Sequence, residues 1–67
     1  MKRKTAIKKL MGMGVSRDYA KAYLDMIHIC TGGSNLYAVN FYDIYRDNWL
    51  EALQLVKMSG VIIGDGE

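Results

Sequence analysis

A chain of 67 residues carries one domain, close to the lower limit at which a core can hold a fold by itself. Its single cysteine, Cys30, excludes an internal disulfide, and with the single histidine, His28, it falls far short of a metal-ligand set. A net charge of +2 and an apolar content of 51% leave ample material for a core, but no uninterrupted apolar run approaches the ~20 residues of a membrane span.

The opening "MKRKTAIKKL" is basic, yet no apolar segment follows it. No signal peptide is expected, and the protein reads as cytoplasmic, without membrane, metal or cofactor. The charge is uneven. Lys2, Arg3, Lys4, Lys8 and Lys9 are five of the nine basic residues, whereas residues 10–67 set the other four against all seven acids, a balance of −3. A basic head on an acidic body differs from the uniform stripe of a dedicated nucleic-acid binder. Residues 1–4 read as a solvated arm that keeps an apolar little protein soluble.

The first helix is expected at about 5–11, because Ile7, Leu10 and Met11 share one face while Lys8 and Lys9 point away. Gly12 and Gly14 should end it. Ser16 is a good N-cap for a second helix over about 16–30, and Asp18 suits the positive dipole end. On a helical wheel Arg17, Asp18, Lys21, Asp25 and His28 form one polar strip, and the remaining apolar arc covers roughly 220°. That is about twice the stripe a surface helix needs. The second helix is therefore central, and "TGGS" stops it.

Ser34 or Asn35 should cap a third helix. Asn48 with Glu51 reads as a further capping box inside it, but the apolar phase argues for continuity. Ala38, Tyr42, Tyr45, Trp49, Ala52 and Val56 are spaced 4, 3, 4, 3, 4, which predicts one helix over about 35–58, with a kink near Arg46 as the open alternative. Gly60 should end it, leaving 59–67 as a tail in which Val61, Ile62 and Ile63 cover the core as an extended segment. The expected fold is all-α, a compact three-helix domain over 1–67 with a long C-terminal helix.

Little points to catalysis. His28 and Cys30, two apart on a helix, face different ways and cannot form a nucleophile–base pair. Asp25 and His28 read as a surface hydrogen-bonded pair. The Gly32–Gly33 and 64–66 glycines lack the surroundings of a phosphate cradle. No enzyme and no catalytic residue is expected.

"LMGMGVSRDYAKAYL", residues 10–24, has the cadence of a helix-turn-helix. The crossing position that is small in such units is Leu10 here, and Asp18 and Asp25 share the outward strip with Arg17 and Lys21, where they would face phosphates. The same stretch, through Met13-Gly14-Val15 and "TGGSNLYAVNF", resembles ubiquitin-associated domains over about residues 6–42. That resemblance implies a compact three-helix arrangement. The whole chain, with its basic start, its Gly-x-Ser-Arg-x-x-Ala core and its aromatic third helix, resembles small accessory proteins of phages of Gram-positive bacteria. That resemblance implies a role in disabling a host or defence protein, as anti-CRISPR proteins do, or in regulating transcription.

Apolar surface beyond what one small monomer covers points to protein binding, with Tyr and Met as suitable contact residues. Ala20, Leu24, Ile27, Tyr45 and Trp49 are assigned to the core. Tyr19, Tyr23, Met26, Tyr37, Phe41 and Ile44 are the candidate partner-binding residues, and the expected product is a homodimer with a protein partner of unread identity. The alternative is a small helix-turn-helix DNA-binding regulator using Lys2, Arg3, Lys4, Arg17 and Lys21.

Overall fold

Capping chemistry places the helices. The computed structural model describes residues 1–59, with α1 at Arg3–Gly12, α2 at Arg17–Thr31, α3 at Asn35–Tyr45, a 3-10 turn at Arg46–Asn48 and α4 at Trp49–Ser59. The Ser16 hydroxyl accepts from the Tyr19 amide at 3.1 Å and that of Ser34 from the Tyr37 amide at 3.2 Å, each satisfying an orphan donor at a helix start. Gly14 (φ 103°) and Gly32 (φ 71°) take the left-handed conformation after α1 and at the end of α2. Gly12 is still helical. The expected stop at Gly60 and the cover by Val61–Ile63 lie outside the described residues.

The domain is all-α, with α1, α2 and a bent third helix around one core. Ala6 and Leu10 of α1 meet Ala20, Tyr23, Leu24 and Ile27 of α2, Ala38, Val39, Phe41 and Tyr42 of α3, and Leu53 of α4. Two buried polar groups are satisfied locally. The Thr31 hydroxyl donates to the Ile27 carbonyl at 2.7 Å and accepts from the Gly33 amide at 3.0 Å. The Tyr23 hydroxyl donates to the Ala38 carbonyl at 2.6 Å, tying α2 to α3.

The continuous third helix is corrected. Arg46 sits at φ 49°, ψ −124°, a conformation no α-helix contains, and the chain turns there before α4 packs back on α2 and α3. An unbroken helix over residues 35–58 would be about 36 Å long at 1.5 Å per residue, whereas the domain measures 30 × 24 × 17 Å. The bend brings Leu53 into the core and sets the Trp49 ring edge-on to Tyr23, centroids 4.8 Å apart. Burying two such side chains contributes about 1.5–3 kcal/mol each, enough to offset about 1–3 kcal/mol for a strained non-glycine residue. The seam spacing misled because two helices can present faces in the same phase to one core. Tyr45, assigned to that seam, is exposed at the corner.

Two smaller corrections concern charge. Arg3 and Lys4 form the first turn of α1 rather than a loose arm. Asp25 pairs with Arg3 at 3.0 Å and not with His28, because α1 lies alongside α2. The His28 ring instead meets the Gly33 carbonyl through Nδ1 at 2.6 Å and the Asn35 Oδ1 through Nε2 at 2.8 Å, holding the α2–α3 turn.

Candidate functional site

The α1–α2 packing gathers charge. On α1, Arg3, Lys4, Ile7, Lys8 and Met11 fall on one side of the helix, and Arg17 and Lys21, one turn apart at the start of α2, form the opposite wall. Together they line a cleft of about 420 Å³. Four of the five residues assigned to the nucleic-acid alternative, Arg3, Lys4, Arg17 and Lys21, therefore converge, while Lys2 does not line the cleft. Among the described residues Asp25 ties down Arg3. Among the described residues Lys4, Lys8, Arg17 and Lys21 have no ion-pair partner. Sequence reading missed Ile7, Lys8 and Met11 as cleft residues. The available signal was the four-residue spacing shared by Arg3–Ile7–Met11, Lys4–Lys8 and Arg17–Lys21.

The six candidate partner-binding residues divide between two hollows. Tyr19, Tyr23 and Met26 line a small one of about 100 Å³ with Ala22 and Trp49. There the Trp49 indole donates to the Tyr19 hydroxyl at 2.7 Å, so an aromatic cluster fastens α4 to α2. Tyr37, Phe41 and Ile44 line a second hollow of about 230 Å³ with Asn40, Tyr45 and Val56. Its wall is a ladder of rings on successive turns of α3, Tyr37–Phe41 at 5.7 Å and Phe41–Tyr45 at 4.7 Å.

Burial separates these six residues further. Tyr23 and Phe41 are 2% and 5% exposed and belong to the core, where hydroxyl bonding and ring packing hold them; their assignment as open contact residues is corrected. Tyr19, Met26 and Ile44 are open to solvent, Ile44 by 71%. Tyr37 is half-buried, and its ring lies against Gly33, where a β-carbon would overlap it. Its hydroxyl has no hydrogen-bond partner among the described residues. Burial raises the Tyr37 phenol above its ordinary value, and burial likewise dominates upward shifts at Tyr23 and Tyr42.

Cys30 is half-buried with its thiol 3.6 Å from the Met26 sulfur, while His28 is engaged at the turn. Among the described residues no group of three or more His, Cys, Asp or Glu side chains could hold a metal ion, and no helix is long and apolar enough to cross a membrane. In comparisons with known proteins, the chain matches no family model, no curated protein and no solved structure.

Proposed function

We propose that this chain is a non-catalytic helical protein-binding module that associates with a second copy of itself. One observation carries the reading. Eleven large apolar side chains are exposed on the described residues, as many as the eleven apolar residues that form the core. Scattered single apolar residues are ordinary on a surface, but Ile44 and Tyr45 stand beside a hollow floored by aromatic rings, the kind of patch that marks an interface. A second copy is the occupant because one isologous contact covers the patch on both chains at once.

Sedimentation or light scattering at micromolar concentration should give a mass near twice the 7.6 kDa chain. Ile44→Glu should return it to the monomer without loss of helical content, since Ile44 is a surface residue. A clean monomer across the concentration range refutes the self-association. A module of this kind suits the role implied by the resemblance to phage accessory proteins, which is to occupy a surface on a host or defence protein.

The helix-turn-helix reading has one specific observation in its favour, the convergence of Arg3, Lys4, Arg17 and Lys21 on one cleft. Against it stand Asp18 and Asp25 on the same helix as Arg17 and Lys21, which would oppose a phosphate backbone.

A further inference from the structure

We infer that the α1–α2 cleft docks an acidic amphipathic helix of a partner protein. The inference rests on the protein-binding reading and names the chemistry of the partner. The apolar lining of the cleft is Ile7 and Met11, one turn apart, and the rest of its lining is cationic, with Arg3, Lys4 and Lys8 on α1 and Arg17 and Lys21 on α2. From Arg3 to Met11 the α1 wall rises about 12 Å, the length of two helical turns. A helix with two apolar residues one turn apart would seat them on Ile7 and Met11, while carboxylates on its two edges reach the lysines and arginines.

Charge complementarity selects this occupant over a polynucleotide. A phosphodiester backbone satisfies the cations but has no apolar group to cover Ile7 and Met11. It also continues as a rail of charge beyond the cleft, past Asp18, which does not line it. An acidic helix of two to three turns places its charge within the cleft alone. The four cations without an ion-pair partner among the described residues are available to it at little cost, because no existing pair has to break. Arg3 is different, since its Asp25 partner fixes the guanidinium.

The experiment uses the full chain and three fluorescent probes read by anisotropy. The first is a peptide of about 14 residues, long enough to form a helix on docking, whose central two to three turns carry leucines one turn apart and glutamates on both edges, with uncharged ends. The second has the same composition with the leucine stripe scrambled, and the third is a short DNA duplex. At about 150 mM salt, where long-range attraction is screened, the striped peptide should bind at least about tenfold more tightly than either of the others. Lys8→Glu with Lys21→Glu should weaken it by about tenfold or more, and Met11→Ser by about fivefold. Far-ultraviolet circular dichroism confirms that each variant is folded. Duplex binding as tight as peptide binding, indifference to Met11→Ser or to the scrambled stripe, or no peptide binding at all overturns the inference. If the dimer mass persists while the peptide fails, this inference alone falls; a monomer removes the parent reading.

Discussion

Replacing Arg46 with glycine should stabilise the protein, and the sign of that effect separates a bent third helix from a straight one. Arg46 is the only non-glycine residue at positive φ among the described residues, at φ 49° with ψ −124°. A non-glycine side chain there costs about 1–3 kcal/mol, which glycine removes. Two losses oppose the gain. The Arg46–Asp43 pair, 3.3 Å apart with both side chains more than half exposed, contributes no more than about 0.5 kcal/mol. Glycine also gives the unfolded chain extra freedom, about 0.5–1 kcal/mol. The balance spans about −0.5 to 2.5 kcal/mol and centres on a gain of about 1 kcal/mol, which for a domain this small raises the melting temperature by roughly 4–8 °C per kcal/mol. In a continuous helix the same residue would be interior, and glycine would cost about 1 kcal/mol. Urea unfolding followed by circular dichroism and Trp49 fluorescence, at fixed protein concentration, measures the difference. A loss of about 1 kcal/mol refutes the bend and the packing argument built on it.

Gly33→Ala should destabilise by about 1–3 kcal/mol, because the new β-carbon overlaps the Tyr37 ring, a direct case of overpacking; unchanged thermal stability would show that the ring moves freely. Leu24→Ala, at a fully buried site, should cost about 2–5 kcal/mol and leave little or no folded protein at room temperature, as read by circular dichroism. Burial, followed by the neighbouring tyrosines, raises the Tyr23 phenol far above its ordinary value of 10.0, and Tyr37 and Tyr42 shift the same way. The folded chain then holds protons that the unfolded chain releases, so this stability is full below about pH 10 and falls as pH rises further. Urea midpoints should drop through that range, and Tyr23→Phe should make the drop shallower while losing about 1 kcal/mol at neutral pH with the Ala38 bond; a midpoint that holds steady in the wild type contradicts the burial of these hydroxyls.

What was legible in the sequence was mostly local. Ser16 and Ser34 cap their helices as their positions imply, and the glycine clusters mark both turns, because capping and left-handed conformations depend on a residue and its near neighbours. The Asn48–Glu51 signal, which competed with the seam, lies where α4 begins. The seam leaves the kink near Arg46 an open alternative because periodicity is blind to direction, and the torsion at Arg46 is offset by contacts of Trp49 and Leu53 that exist only once the chain has turned. The basic cleft was only half legible for a related reason. Arg17 and Lys21 were visible as a pair, but their meeting with Lys4 and Lys8 depends on how α1 crosses α2, a tertiary fact with no local signature.

The mixed fate of the candidate contact residues follows from the same geometry. A tyrosine or phenylalanine on an apolar arc looks identical whether its neighbour is another helix of the chain or a second molecule, since both remove the ring from water by the same effect. The approach of other helices decides between them. On α2, α3 and α4 close over Tyr23, while Met26 and Ile29 stay open, Ile29 by 84%. On α3, the core takes Phe41 and leaves Ile44 outside. If the bend at Arg46 were opened, Trp49 and Leu53 would leave α2, and Tyr23 would lose its Trp49 ring contact while keeping its bond to Ala38 and its packing on Tyr42. The backbone turn at Arg46 therefore decides the burial of Leu53 and one side of the Tyr23 ring. A variant that straightens the third helix should gain self-association as it loses thermal stability. Loss of stability with an unchanged mass distribution in sedimentation would show that the apolar faces play no part in association.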